Sequence, residues 1–372
     1  MALRLLFAGG GTGGHLIPAL VVAGAVCRAC PGAEIRFAAT NRPLETRLLS
    51  GSPFPFQTVP VLSLRRELHL DLVRFPFVNG AGFLRSMALV ARFRPHLFFT
   101  TGGYLAGPVG AAARALGVPV VLMEPNVFPG LTVRILSRAA AQVHLNDPIA
   151  ARRVGGRQKP CSGVPFRTPD SDSDENSQAQ ARNRLELRQD RPLLLVTGGS
   201  QGARGINNAV LEALPILAAA DFQILWQAGR LGIDAAATAA ELWPGHVRAV
   251  EFIDDMPTAY RAADLTVSRA GAGTLAEQSY YGVPAILVPL PTAAENHQEY
   301  NARSAERRGA ARVILQEDLT GRRLAETVID LVKDSSRLKH MKGRSLEAAR
   351  PNAAERIVET MRSAGLLRGD RR

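Results

Sequence analysis

Short apolar runs alternate with longer stretches of helical spacing along the whole chain, and glycine-rich turns separate many of them. That succession of strand, turn and helix predicts a parallel α/β architecture. The pattern also repeats itself. LLFAGGGTGG at 5–14 has a counterpart in LLVTGGSQGA at 194–203, each an apolar strand running into a glycine turn and then a helix. HLFFTTGGYLAGPVGAAARALGVPVVL at 96–122 has a counterpart in DLTVSRAGAGTLAEQSYYGVPAIL at 264–287: strand, glycine turn, helix, Gly-Val-Pro, strand. Two Rossmann-like domains follow, one over 1–164 and one over 165–349, with the last helical stretch, 350–372, assigned back to the first.

The two halves are unequal. Gly9 to Gly117 spans 108 residues and the matching interval from Gly198 to Gly282 spans 84, so the first half carries 24 more. The excess contains 63–94, where Arg65, Arg66, Arg74, Arg85, Arg92 and Arg94 outnumber Glu67 and Asp71 and alternate with Leu70, Leu72, Phe75, Phe77, Phe83 and Met87. Two readings fit this mixture: an amphipathic helix packed on its own sheet, or a helix lying on an anionic membrane surface. Between the halves, 170–184 lacks aromatic and branched apolar residues and reads as a flexible acidic linker. Its Asp-Ser-Asp matches the DxD pattern by which some sugar transferases hold a metal on UDP. A metal-binding carboxylate pair needs a rigid strand end, which a polar linker does not offer.

Composition narrows the class. With 372 residues, 46% hydrophobic and 21% charged, the chain can bury two cores and is neither collagen, coiled coil nor disordered. The uncharged stretch 95–113 is broken by Gly102, Gly103, Gly107, Pro108 and Gly110 and reads as strand, turn and helix instead of a membrane span. No signal peptide is expected, and three cysteines point to a reducing compartment. Cys27-x-x-Cys30 falls at the end of the first helix, with no second pair for zinc. The formal charge of +12 is placed asymmetrically: 1–168 hold 19 basic and 6 acidic residues, 169–372 hold 26 and 27. The first half therefore suits a polyanion, whether nucleic acid, phospholipid or a phosphorylated substrate.

The glycine turns carry the candidate chemistry. Gly9-Gly10-Gly11-Thr12-Gly13-Gly14-His15 lies between strand and helix, where bare backbone approaches a ligand closely and helix N–H groups favour an anion. It satisfies GxGxxG, but a dinucleotide site needs an acid after the second strand, 34–39, and that strand ends in Thr40-Asn41-Arg42. This fails for NAD, leaves only a weak NADP reading, and would leave two other glycine turns unexplained. Those turns, 198–202 and 269–274, fall at the carboxyl ends of neighbouring strands, where two helix N-termini could share a diphosphate. Glu277, in the first turn of the second helix, is within reach of ribose hydroxyls; its alternative role is to complement the helix dipole. No Lys follows the glycines in the Walker pattern, which argues against an ATPase.

GGGTGGH, TGGYLAGP (101–108), EPN (124–126), GVPFR (163–167), GGSQGA, EFIDDM (251–256), SRAGAGTLAE (268–277) and NHQEYNA (296–302) occur in the order and spacing of one family. The chain closely resembles the GT-B N-acetylglucosaminyltransferases of peptidoglycan synthesis, over nearly its whole length apart from the linker and tail. The resemblance implies an α/β GT-B fold, two Rossmann-like doubly wound domains facing across a cleft. It implies inverting transfer of GlcNAc from UDP-GlcNAc to undecaprenyl-pyrophosphoryl-MurNAc-pentapeptide. Ser200 and its turn would hold the UDP phosphates, the main chain of Ile253 the uracil, Arg167 the nucleoside side and Glu277 the ribose. Ala272, Gly273, Thr274, Leu275 and Ala276 would bring backbone amides to sugar and diphosphate. Gln298 and Asn126 would bond the GlcNAc hydroxyls with His297 beside them, and Thr12, Gly13 and Gly14 would line the other wall. The membrane patch would comprise Arg65, Arg66, Arg74, Phe75, Phe77, Phe83 and Arg85. The enzyme would then sit peripherally on the cytoplasmic face of the inner membrane, with anionic phospholipid and cell-wall or division proteins as partners and no nucleic acid. Pro125 departs from the family, which commonly has Gln there, and stiffens the loop before Asn126.

An inverting transfer calls for a general base and a stabilised leaving group. No metal or other cofactor is expected, because helix N-termini and glycine-loop N–H groups would stabilise departing UDP. His15 is the first choice for the base, since an imidazole of ordinary pKa, about 6.5, is available in neutral form near pH 7. Its alternative role is structural or phosphate-contacting, and Glu124 is the second candidate base. Two competing functions are a GT-B enzyme acting on diacylglycerol or another lipid, and an RNA-binding or membrane-tethering protein using its arginine face.

Overall fold

A computed structural model describes residues 2–10, 13–63, 69–168, 177–199 and 201–369, with backbone only for 69–73. The chain divides into two compact units, 1–167 together with 350–372, and 168–349. The boundary between them thus lies three residues beyond the one read from the sequence.

In the first unit the chain runs through β1 (Arg4–Ala8), α1 (Gly13–Ala29), β2 (Glu34–Ala39), α2 (Pro43–Ser50), β3 (Phe56–Thr58), α3 (His69–Phe93), β4 (Leu97–Thr100), α4 (Ala106–Ala115), β5 (Val120–Glu124), α5 (Leu131–Ser137) and β6 (Gln142–Leu145). The strands form one parallel sheet in the order β3-β2-β1-β4-β5-β6. A parallel sheet flanked by helices is apolar on both faces. Leu5, Leu6, Phe7 and Ala8 are accordingly fully buried, and Phe7 lies 5.3 Å from the Phe37 ring and 5.1 Å from that of Phe99.

α3 is the element that lengthens this half, and its described residues divide between a packed face and an exposed one. Leu89, Val90 and Phe93 are buried, and Phe83 and Met87 pack against the sheet core. Phe77 and Leu84, one heptad apart, are 75% and 69% exposed and lie between the exposed Arg74 and Arg85. Phe83 therefore belongs to the packing side and not to an outward patch: helical spacing aligns it with Met87 and Val90. Phe75 is half-buried, and Arg65 and Arg66 lie outside the described residues.

Among its described residues the second unit begins with a helix. The stretch 178–184 is not linker but α6 (Gln178–Arg184), begun by a capping box between Ser177 and Gln180. Arg182 is 6% exposed; it donates to the carbonyls of Ala262, Gln189 and Arg191 and pairs with Asp264 at 2.6 Å. A buried guanidinium anchors this helix, so its lack of large apolar residues is no sign of mobility. The Asp-Ser-Asp lies outside the described residues.

Beyond it come β7 (Leu193–Thr197), α7 (Arg204–Ala219), β8 (Gln223–Gln227), α8 (Ile233–Leu242), β9 (Val247–Val250), α9 (Met256–Ala262), β10 (Leu265–Ser268), α10 (Ala272–Tyr281), β11 (Ala285–Leu287), α11 (His297–Arg307), β12 (Ala311–Val313), α12 (Gly321–Lys333) and α13 (Ser335–Ala348). The parallel order β12-β11-β10-β7-β8-β9 repeats that of the first sheet. Because α10 begins at Ala272, Glu277 lies in its second turn and not its first. α14 (Ala353–Ser363) then returns to the first unit: Ala353, Ala354, Ile357, Val358 and Met361 are buried, Arg28 pairs with Glu355, and Gln142 Nε2 donates to the Thr360 carbonyl. Among the described residues no helix is long and apolar enough to cross a membrane.

Candidate functional site

Each sheet reverses its strand order beside its first strand, between β1 and β4 and between β7 and β10, and ligands of open α/β sheets bind at the carboxyl ends of such strand pairs. The candidate residues collect at these two places, one in each unit.

In the second unit, β7 and β10 run into α7 and α10. Neither N-cap residue, Ala203 or Gly271, caps its helix with a side chain. The first N–H groups of a helix have no intrahelical partner, so the two starts offer donors and positive dipole ends to an anion. Gly202 has φ +79°, and a Cβ there would collide with the Ala228 carbonyl, so only glycine lets this turn close against the end of β8. Asn207 locks the start of α7 by donating to that carbonyl at 2.9 Å and accepting from Trp226 Nε1 at 3.2 Å. Ser200 lies outside the described residues.

Around these starts stand the other predicted residues. Ile253, after β9, is buried, and its N–H donates to Gln227 Oε1 at 3.1 Å. Glu277 Oε2 accepts from Tyr260 Oη at 3.3 Å, and burial pushes the Glu277 carboxyl above the usual carboxylate range. Gln298, in the first turn of α11, accepts from Leu290 N at 3.0 Å, while His297 Nδ1 bonds the Ala294 carbonyl. Ala272, Gly273, Thr274, Leu275 and Ala276 form the opening turns of α10. Arg269 turns away from the helix starts: it donates to the carbonyls of Val288 and Pro289 and to Gln316 Oε1, tying the end of β10 to its neighbours.

In the first unit Gly13, Gly14 and His15 open α1 after β1; Gly11 and Thr12 lie outside the described residues. His15 Nδ1 is 2.9 Å from the Thr101 carbonyl, and Thr101 Oγ1 donates back to the His15 carbonyl at 2.7 Å. A carbonyl only accepts, so Nδ1 carries the proton and the basic lone pair is on Nε2. Gly103 has φ +81°, and a Cβ there would strike the Gly10 carbonyl, so glycine lets the turn after β4 close on the turn after β1. Glu124 is buried, and its carboxylate accepts from Asn126 N at 2.9 Å and Asn126 Nδ2 at 3.1 Å on Oε1 and from Gly130 N at 3.1 Å on Oε2. That carboxylate shapes the loop that presents Asn126. Arg167 is exposed and stands at the junction of the two units, as the last residue before the second.

Sequence reasoning missed Tyr260, Gln227, Asn207 and Thr101 as partners of the candidate residues. It used Arg42 only to weigh NAD against NADP, yet the Arg42 guanidinium lies 5.2 Å from the Tyr104 ring centroid, joining the end of β2 to the turn after β4. Among the described residues no group of three or more His, Cys, Asp or Glu side chains is arranged to hold a metal.

The glycosyltransferase family 28 N-terminal domain matches residues 5–145, and the family 28 C-terminal domain matches 193–357. The chain belongs to glycosyltransferase family 28. Within this family it is 38% identical over 364 residues to a protein of Desulfitobacterium hafniense, covering 96% of this chain and 98% of that one. It is 39% identical over 358 residues to one of Salinibacter ruber, covering 96% and 95%. Both relatives are named UDP-N-acetylglucosamine–N-acetylmuramyl-(pentapeptide) pyrophosphoryl-undecaprenol N-acetylglucosamine transferase. The crystal structure of Acinetobacter baumannii MurG superposes with a TM-score of 0.78 at 29% identity, covering 98% of this chain and all of that one. The family 28 chain described here is thus a glycosyltransferase of GT-B fold, with a doubly wound parallel sheet in each unit.

Proposed function

We propose that this glycosyltransferase moves GlcNAc from UDP-GlcNAc to undecaprenyl-pyrophosphoryl-MurNAc-pentapeptide, converting lipid I to lipid II in peptidoglycan synthesis. The observation that carries the donor side is the pair of helix N-termini without side-chain caps on adjacent strands β7 and β10, with Glu277 beside them. The names of relatives that match nearly the whole chain support the acceptor.

An acceptor sugar hydroxyl attacks the anomeric carbon of the donor, its proton passes to His15 Nε2, and the bond from that carbon to the UDP oxygen breaks. The Thr101 carbonyl holds the imidazole in the tautomer this step needs. The charge left on UDP faces the N–H groups that open α7 and α10, whose positions are fixed before reaction and need no reorganisation. Glu277 takes the ribose, the main chain of Ile253 the uracil, and Gln298 and Asn126 the GlcNAc hydroxyls. His15 is the better base of the two candidates, because the Glu124 carboxylate is occupied by the loop it organises. The reaction is proposed to need no metal.

The exposed face of α3, with Arg74, Phe77, Leu84 and Arg85, supports peripheral attachment to anionic phospholipid on the cytoplasmic face of the inner membrane. The test is transfer of labelled GlcNAc to a synthetic lipid I analogue, with a diacylglycerol acceptor in parallel and with EDTA present or absent. Transfer to the lipid I analogue alone, unaffected by EDTA, is expected. Transfer to diacylglycerol alone would overturn the acceptor, and loss of activity in EDTA would overturn the metal-free mechanism.

A further inference from the structure

Glu277 is set in an unusual place for a group that must act as an anion. Burial works against its charge, and among the described residues the neighbour that favours the charged form is a phenol from another helix. That phenol, Tyr260, is 2% exposed and lies in the last half of α9, a short helix begun by Asp255, whose side chain caps it by accepting from Thr258 N and Oγ1. Its ring is fixed from the other side. Tyr281, at the end of α10, stacks on it at 5.5 Å with an interplanar angle of 20°. Tyr281 is in turn met edge-on by Tyr280 and covered by the Arg261 guanidinium, 5.1 Å from its centroid. Tyr260 also shares an apolar cluster with Ile253, the residue read here as the contact for the base.

We infer that Tyr260 is a positioning residue for donor binding: its hydroxyl holds Glu277 Oε2 so that the carboxylate presents its remaining acceptor capacity to the ribose hydroxyls of the UDP-sugar. The inference rests on the ribose reading of Glu277 and adds what makes that reading work. A carboxylate has about four lone-pair sites, so one bond from Tyr260 leaves room for a ribose diol. The phenol orients the carboxylate by donation only. Burial, with Glu277 beside it, holds its own proton well above the ordinary tyrosine range. Because Tyr260 sits on α9 and Glu277 on α10, their bond also couples the base-contacting segment before α9 to the ribose-contacting turn of α10, so the nucleoside meets one rigid surface.

The test is steady-state kinetics of Tyr260→Phe, which keeps the ring stacked on Tyr281 and removes only the hydroxyl. With UDP-GlcNAc the expected result is a KM for donor raised about tenfold, equivalent to one hydrogen bond to a charged group, with kcat changed less than twofold. Donors lacking the ribose 2′- or 3′-hydroxyl give the readout that a merely structural tyrosine would not move. For at least one of them the wild-type and variant KM values should converge, because the contact that Tyr260 organises is already missing. An unchanged KM for UDP-GlcNAc, or the same penalty on both deoxy donors, would overturn the inference. Glu277→Gln, assayed in parallel, separates the two levels: if it keeps wild-type KM and wild-type discrimination among the three donors, the ribose reading itself fails. If it loses discrimination while Tyr260→Phe behaves as wild type, only the role of Tyr260 fails. Thermal unfolding of both variants accompanies the kinetics.

Discussion

The tautomer of His15 is decided by one atom 86 positions away in the chain, the carbonyl of Thr101. If that imidazole is the base, His15→Ala should lower kcat by about 10²- to 10³-fold at saturating donor and acceptor while leaving the KM for UDP-GlcNAc within a few-fold of wild type. Wild-type turnover in that variant would remove His15 from the chemistry. The candidate site residues were readable because their backbone setting is written locally: glycines at strand ends, then a helix. The groups that hold them were not. Thr101, Gln227 and Tyr260 act on His15, Ile253 and Glu277 through contacts 86, 26 and 17 residues apart, and nothing in a Thr, a Gln or a Tyr distinguishes a supporting partner from a surface residue.

The strands announced themselves as continuous apolar runs because helices cover both faces of each sheet, whereas α6 was hidden because its anchor is ionic. Arg182→Ala should therefore behave as a core substitution despite its polar surroundings in the sequence. It leaves Asp264, at the amino end of the central strand β10, without its guanidinium and should cost about 3 kcal/mol in a urea unfolding experiment. A second polar joint links β6 to α14. His144 is fully buried, with Nδ1 2.8 Å from Ser162 Oγ and Nε2 3.2 Å from Gln142 Oε1, and Gln142 reaches the Thr360 carbonyl. Burial pushes the His144 imidazole down to about 3 from 6.5. The unfolded chain therefore takes up this proton first as the pH falls, and stability is lost from about pH 6.5 downward until the folded state protonates near 3. The slope approaches about 1.4 kcal/mol per pH unit, and it should vanish in His144→Gln when hydrogen exchange of β6 and α14 amides is followed between pH 4 and about 7.

For the molecule as a whole, the charge asymmetry read from composition belongs to the unit that carries α3, and the two sheets of identical strand order are the repeat seen in the sequence. What composition could not separate was the packing face of α3 from its exposed face, because both carry large apolar residues and only the sheet decides between them. Co-sedimentation with vesicles of anionic phospholipid should weaken when Arg65, Arg66, Arg74 and Arg85 are replaced by Ser, by an amount consistent with about 1 kcal/mol for each arginine near the surface. Unchanged binding would send the attachment elsewhere. Finally, α14 belongs to the unit begun by β1, yet residues 168–349 intervene. On the ribosome, the half that is made first is the last to be finished. At about 5–20 residues per second, synthesis of the second unit alone adds roughly 10–40 s before α14 exists to cover its face of α1. Over that interval the nascent chain carries an open apolar seam, so truncations that spare every donor-binding residue but remove 350–372 should fail by aggregation during synthesis and not by loss of substrate affinity.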